Sequence, residues 1–464
     1  MNRLLEFKEN IKGKKVGLVG IGVSNLPAIG YLYSLGAKIS VYDKDINLLE
    51  KYPSLKEYKL EYHLGESYLQ EIADLDYLFR SPGVRPFYPE IEAARASGTV
   101  ITSEIEMLIH LAPCKVVAVT GSDGKTTTTT LISKFLEEAG YKVWLGGNIG
   151  KAIFSKIEEI KESDIVVLEL SSFQLMTLKE SPNISVVTNI SPNHLDYHRS
   201  YDEYIDAKAN IFKYQKPGDI VIFNKDDNMT KRYLKEVPEG VNVRYFSLKG
   251  NVENGVYLDG KNIVQNVISG DKDIEYVDNV KLLGIHNIAN ICAGAAAVIS
   301  ETGIQPIRKV ITSFNGVEHR MEFVRDRNGV KWYNDSIGTS PSRTIAGLKS
   351  FDQKIILIAG GYDKNLEYDV LAPYVLEKVK TLILMGKTAP KIKKAVENEI
   401  KQKGANYDID IVTLNSMEEC VDYANSIAKS NDIVVLSPAS ASFDMYKNFE
   451  IRGNHFKDLV NNLK

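Results

Sequence analysis

The chain has 464 residues, 44% of them hydrophobic and 25% charged, with a net charge of −3. That length exceeds what one hydrophobic core supports and predicts about three domains. The near-neutral balance argues against a nucleic-acid partner, and no apolar run approaches membrane-spanning length, so membrane insertion is not expected. Residues 1–15 lack the apolar core of a signal peptide, and Cys114, Cys292 and Cys420 fit no metal or disulfide spacing, so a reducing cytoplasm is the expected location.

Apolar β-rich runs alternate with helical patterns, the α/β signature of parallel sheets. The first unit opens with a strand at Lys15–Val19, turns through Gly20-Ile21-Gly22-Val23-Ser24, enters a helix at 26–35, and returns in a strand at 38–42 that ends on Asp43. A βαβ unit with an acid about 20 residues beyond its glycines suits a ribose or base. Asn25 stands where a dinucleotide fingerprint has its third glycine, so the expectation is a nucleotide moiety rather than NAD. A further strand and glycine loop follow at 78–84.

The second unit carries the most informative segment, an apolar strand at 116–119 running into Thr120-Gly121-Ser122-Asp123-Gly124-Lys125-Thr126-Thr127. The glycines let the backbone turn its N–H groups toward an anion, Lys125 adds a positive charge, and the Thr126 hydroxyl suits Mg²⁺. A helix at 127–136 would point its N-terminal dipole at the same phosphates, so ATP is the expected ligand. The loop is short, because Val119 occupies the position of the usual first glycine. A strand at 165–168 ends on Glu169 before Ser171-Ser172-Phe173-Gln174, and one at 185–190 leads to Asn193-His194-Leu195-Asp196. Ligands of doubly wound sheets gather at the carboxyl ends of strands, which predicts convergence of Thr126, Glu169 and His194. Lys208, in a helical stretch at 204–212, reads on its own as a solvated surface lysine.

A third unit follows Gly316. Strands at 330–333, 354–359, 381–385 and 432–436 lead into polar or glycine loops, among them Asn334-Asp335-Ser336, Gly360-Gly361-Tyr362-Asp363-Lys364 and Ser437 to Ser442. Between units two and three lie His286-Asn287-Ile288-Ala289-Asn290 and the linker Val317-Glu318-His319-Arg320, whose Arg320 reads either as a phosphate partner or, like most linker arginines, as a solvated residue. The fold class expected is α/β in three domains: a Rossmann-like domain at 1–110, a central doubly wound P-loop domain at 111–316, and a second Rossmann-like domain at 317–464.

Together these motifs resemble the Mur ligase family, ATP-dependent amide-forming enzymes of peptidoglycan precursor synthesis. The short phosphate loop, Gly147-Asn148-Ile149-Gly150, Glu169 to Gln174, and Asn287 with Asn290 look like that family's central domain. Tyr333 to Ser336, Gly360 to Lys364, and Ser437 through Gly453 look like the branch that adds D-glutamate to UDP-N-acetylmuramoyl-L-alanine. The resemblance implies that Gly121, Ser122, Asp123, Gly124, Lys125, Thr126 and Thr127 cradle the ATP phosphates. It places Asn287, Asn290, Arg320 and Asp335 on the rest of ATP, and Gly22, Val23, Ser24 and Asp43 on the uridine part of the precursor. Asn148, Ser171 and Gln174 would face its muramoyl part, and Thr339, Lys364, Ser442 and Phe449 the incoming glutamate. Thr126 and Glu169 would hold one Mg²⁺, with His194 and a carbamylated Lys208 on a second. Catalysis would rest on Lys125, Glu169, His194 and Lys208, with the third domain closing over ATP. A monomer acting on small-molecule substrates is expected.

One departure bears on specificity. The family pattern has lysine after Asn-Asp-Ser, and this chain has Ile337, with Gly338 and Ser340 also altered. Arg343 is the nearby residue able to replace the lost charge. The alternatives are a sister ligase adding another amino acid such as L-glutamate, a phosphotransferase, or a non-catalytic nucleotide-binding paralogue.

Overall fold

The computed structural model describes residues 3–22, 24–70, 72, 74–192, 197–282, 284–404 and 408–463. It contains three sheets, in two compact units: Met1–Val280 with His286–Thr312, and Lys281–Ile285 with Ser313–Lys464.

The first unit holds two sheets. One is wholly parallel, with strands in the spatial order Glu61–Leu64, Lys38–Asp43, Lys15–Val19, Tyr77–Arg80 and Val100–Thr102. The chain winds outward from Lys15–Val19 on one side and resumes on the other, so a crevice opens between the ends of Val19 and Arg80. Gly20 is needed there: its φ is +75°, and a Cβ would lie 2.9 Å from Ser81 and Val84.

The larger sheet has nine strands. Val143–Gly147, Ile165–Glu169, Lys115–Thr120, Ile184–Val187, Ile220–Asn224, Asn242–Ser247 and Gly255–Asp259 run parallel. Two antiparallel strands, Asn262–Gln265 and Asp273–Tyr276, extend it. The strand expected at 185–190 stops at Val187, because the polar stretch after it bonds to the phosphate loop instead of to a ladder. The antiparallel extension was not anticipated, although Asp259-Gly260 between alternating apolar residues is a hairpin signal.

These two sheets share one core. Phe154, 1% exposed, takes Phe7, Tyr31 and Phe79 around its ring at centroid distances of 6.4, 5.4 and 5.9 Å. Lys8 and Tyr31 both reach Glu158, at 2.9 and 3.2 Å. The second unit is a six-stranded sheet, ordered Glu322–Arg327, Val330–Asn334, Ile433–Leu436, Ile355–Gly360, Val379–Met385 and Asp410–Thr413. All its pairings are parallel except the first, the hairpin of Glu322–Arg327 with Val330–Asn334.

Phe154 contacts three rings of the N-terminal segment. Phe154→Ala should lower the stability of the first unit by about 3–5 kcal/mol, read as a lower urea midpoint; an unchanged midpoint would show that the shared core does not hold the two sheets together.

Candidate active site

The phosphate loop runs from strand Lys115–Thr120 into helix Lys125–Glu138. Gly121 and Gly124 have φ of +148° and +79°, and added Cβ atoms would strike Thr188 Oγ1 and Asn290 Oδ1 respectively. The loop is therefore clamped from two sides, and side chains are excluded where it is tightest. Thr188 Oγ1 donates to Asp123 O at 2.6 Å, and Asn189 Oδ1 accepts the Asp123 N–H at 3.0 Å. Ser122 is buried, its hydroxyl donating to Ser191 O at 2.9 Å and meeting Tyr204 OH at 2.8 Å. Neither Thr188 nor Tyr204 was singled out from sequence, because each is an ordinary polar residue distant from the loop in the chain. The opening N–H groups of a helix, here at Lys125, Thr126 and Thr127, lack intrahelical acceptors, an arrangement able to receive an anion. Lys125 Nζ donates to the carbonyls of Gly121 and Ser122, each at 2.9 Å. Asn290 accepts from Thr128 Oγ1 at 3.3 Å and donates to Asn287 at 3.0 Å, which ties both asparagines to the start of that helix.

Glu169 and Lys208 arrive from elements flanking the loop. Glu169 ends its strand 2% exposed; Oε1 accepts from Asn148 Nδ2 at 2.9 Å, and Oε2 is buried with no partner among the described residues. Lys208 is not a surface residue. It is 1% exposed on helix Tyr201–Lys213, donating to Gly121 O at 2.8 Å and Thr120 Oγ1 at 3.3 Å, over the Tyr204 ring. Burial, reinforced by the nearby Lys125 charge, pushes its amine well below the usual lysine range. Helical periodicity puts Lys208 on the apolar side with Tyr204 and Ile211, a signal that outweighs the ordinary preference of lysine for water. His194 and Val23 lie outside the described residues.

Other predicted residues have local structural work. Ser171 and Gln174 form a capping box on helix Ser172–Leu175, the Gln174 Oε1 accepting from Ser171 N at 2.9 Å. In the first sheet, both Asp43 oxygens accept backbone N–H groups, from Ile21 at 2.6 Å and Asp45 at 2.9 Å. Asn25 stands in for the absent glycine by donating to the carbonyls of Val19, Gly20 and Phe79. Gly22 faces open space. Arg80, fully buried, donates to Val84 O at 2.6 Å and to Phe173 O at 3.0 Å, joining the crevice loop of one sheet to the loop after Glu169 in the other.

In the second unit, Asp335 is buried, and Oδ2 accepts from Ser437 Oγ at 2.6 Å. Burial raises its carboxyl to about 6, against the opposing charges of Arg320 and Arg343. Arg320 sits between His319 and Met321, whose φ values of +61° and +43° mark a strained linker. Arg452, 1% exposed, donates to Ser336 Oγ at 3.0 Å and to the carbonyls of Ser336, Ser440 and Ala441, which locks two strand-end loops together. Thr339, Lys364 and Ser442 stand on the loops after adjacent strands, and Phe449 opens helix Phe449–Asn462.

The sequence matches a MurD-like N-terminal domain at residues 14–103, the Mur ligase middle domain at 119–298, and the Mur ligase glutamate ligase domain at 319–440. A protein of Acetivibrio thermocellus named UDP-N-acetylmuramoylalanine–D-glutamate ligase is 52% identical over 464 residues, covering 100% of this chain and 99% of its own length. A protein of the same name from Ruminiclostridium cellulolyticum is 50% identical over 466 residues, with full coverage of both. The chain belongs to the Mur ligase family. Its fold is shared by UDP-N-acetylmuramate–alanine ligase MurC of Thermotoga maritima, at TM-score 0.57, 18% identity and 97% and 100% coverage of the two chains. MurF of Acinetobacter baumannii aligns at TM-score 0.58, 14% identity and 97% and 92% coverage.

Members of the Mur ligase family consume ATP, and the residues here fit Mg²⁺ as its companion. The buried, unpartnered Glu169 Oε2 and the Thr126 hydroxyl are hard oxygen donors, suited to an ion completed by phosphates and water. Among the described residues no group of three His, Cys, Asp or Glu forms a self-sufficient metal site. Ile337, which stands where the resembled pattern has lysine, accepts a hydrogen bond at its backbone carbonyl from Arg343 Nη1 at 3.1 Å.

Glu104, 4% exposed and hydrogen-bonded to Ser24, is raised by burial to about 7. Between its ordinary 4.5 and 7 the folded state holds a proton that the unfolded state has released, so stability falls as pH rises through that window. Glu104→Gln should match the unaltered protein near pH 4.5 and exceed its stability above pH 7 by up to about 3 kcal/mol. Urea unfolding at several pH values reads the difference; parallel curves would place Glu104 in water.

Proposed function

We propose that this Mur ligase joins D-glutamate to the alanyl carboxylate of UDP-N-acetylmuramoyl-L-alanine, with consumption of ATP, in cytoplasmic peptidoglycan precursor synthesis. The observation that carries this reading is end-to-end identity of 52% and 50% with relatives that bear that name. The chemistry follows from the reactants. A carboxylate resists amine attack because its oxygen is a poor leaving group. Transfer of the γ-phosphoryl group of ATP converts it into an acyl phosphate, the glutamate amine attacks the carbonyl carbon, and the tetrahedral adduct expels phosphate.

Most of this work is positioning and neutralising charge. In our reading Lys125 and the opening amides of its helix hold the phosphates, and Asn287, Asn290, Arg320 and Asp335 hold the rest of ATP. Bound Mg²⁺ neutralises the oxygens that must approach one another; Thr126 and Glu169 would hold one ion, Lys208 and His194 another. Gly22, Ser24 and Asp43 take the uridine part, and Asn148, Ser171 and Gln174 the muramoyl part. Thr339, Lys364, Ser442 and Phe449 take the amino acid. We read Lys208 as the carbamylated lysine: addition of CO₂ needs a neutral amine, which its burial favours, and yields an anionic oxygen ligand with loss of one proton.

Phosphate release from Mg·ATP with UDP-N-acetylmuramoyl-L-alanine should depend on D-glutamate. Ile337 is the observation that favours a second reading, and preferential use of L-glutamate would establish it; release without any amino acid would remove the ligase. Lys125→Ala should lower kcat by about a thousandfold with an unchanged urea midpoint, and near-normal turnover would take the loop out of the mechanism. Lys208→Ala should lose activity that millimolar formate or acetate partly restores. Full metal binding without such rescue would rule out carbamylation.

A further inference from the structure

The second unit carries a cation, Lys387, that these assignments leave unused, beside the assigned Lys364. Strands Ile355–Gly360 and Val379–Met385 are neighbours and lead into the loops of Tyr362 and Lys387, and the loop after Ile433–Leu436 presents Phe443. Tyr362 and Phe443 meet edge to face at 5.8 Å. Lys364 Nζ lies 5.3 Å from the Phe443 ring centre and Lys387 Nζ 5.9 Å from that of Tyr362, so the aromatic pair carries an ammonium on each member. Both lysines are exposed, and neither ammonium pairs with a carboxylate among the described residues. Of their acidic neighbours, Asp363 pairs with Lys391 at 2.5 Å, and Asp444 Oδ2 accepts the Lys387 backbone N–H at 3.0 Å, its Oδ1 being buried without a hydrogen-bond partner among the described residues.

The backbone beneath Lys387 is tightly placed. Gly386 has φ +72°, and a Cβ there would lie 2.6 Å from Asp444 and 2.8 Å from Gly361. Thr388, fully buried, accepts the Gly361 N–H at 3.0 Å and donates to Gly361 O at 3.1 Å. The loop of Lys387 is thereby tied to that of Lys364. Phe443 is 57% exposed, so its ring face is open to a ligand.

We propose that Lys387 is a specificity-determining residue: with Lys364 it receives the two carboxylates of a dicarboxylic amino acid laid against the Tyr362–Phe443 pair. This rests on the ligase reading and adds to it a cause for acidic amino-acid choice. Two cations match two anions, and an amide side chain in place of the second carboxylate loses a charge-assisted hydrogen bond.

The test compares the unaltered enzyme with Lys387→Gln and Lys387→Arg, using D-glutamate and D-glutamine as amino acids. Lys387→Gln should raise KM for D-glutamate about tenfold or more, leave KM for ATP and for the UDP precursor unchanged, and narrow the preference for D-glutamate over D-glutamine. Lys387→Arg should restore most of that preference. An unchanged KM for D-glutamate in Lys387→Gln, with the unaltered enzyme active, overturns this proposal alone. So does an equal rise in all three KM values, which would signal a structural role. An unaltered enzyme that does not use D-glutamate overturns the ligase reading and this inference with it.

Discussion

The phosphate loop can exist only because nothing projects from Gly121 and Gly124. Thr188 and Asn290 approach so closely that a methyl group at either glycine would occupy their side-chain oxygens. Those two neighbours belong to a strand end and a helix far away in the chain, so the loop is held by tertiary contact on both flanks. From that clamp follow the direction of the helix N-terminus, the position of Lys125, and the carbonyl that receives Lys208. A loop with larger residues could turn the chain, but could not be gripped this way.

A second regularity is the burial of cations on carbonyl groups. Lys208 rests on Gly121, Arg80 on Val84 and Phe173, and Arg452 on Ser336, Ser440 and Ala441. Among the described residues these three side chains donate to carbonyls and hydroxyls rather than to carboxylates, so much of the desolvation cost is met by backbone dipoles. The effect is geometric: each side chain fixes strand-end loops that would otherwise be independent. The guanidinium forks suit this better than an ammonium, because one group reaches two or three carbonyls in a fixed plane. Lys208 differs in having one carbonyl and one hydroxyl, which leaves its amine poorly supported as a cation and open to chemistry.

Several side chains expected to face ligands also hold the fold. Ser171 and Gln174 cap a helix, Asp43 gathers two backbone amides, and Asn148 steadies the Glu169 carboxylate. These bonds hold the groups in one orientation, and such pre-ordering would lower the ordering cost of any ligand they meet. Glu169 is the contrasting case, since one of its oxygens is buried and without a partner.

Much of the architecture was legible in the chain because alternating apolar runs and glycine turns are local signals. The strands Lys15–Val19, Lys115–Thr120 and Ile355–Gly360, the two glycines of the phosphate loop, and the carboxylate ending Ile165–Glu169 all follow from such patterns. The hairpin extension and the early end of Ile184–Val187 did not, because they depend on which neighbour completes the backbone hydrogen bonds. Lys208 is the clearest division. Its type and helical setting were plain from sequence, but its environment was set by Thr120, Gly121 and Tyr204, brought together only by folding. The chain by itself determined which chemical groups exist and which local turns they stand on. The tertiary structure decided which of them are desolvated, because burial depends on packing partners that no local stretch of sequence contains.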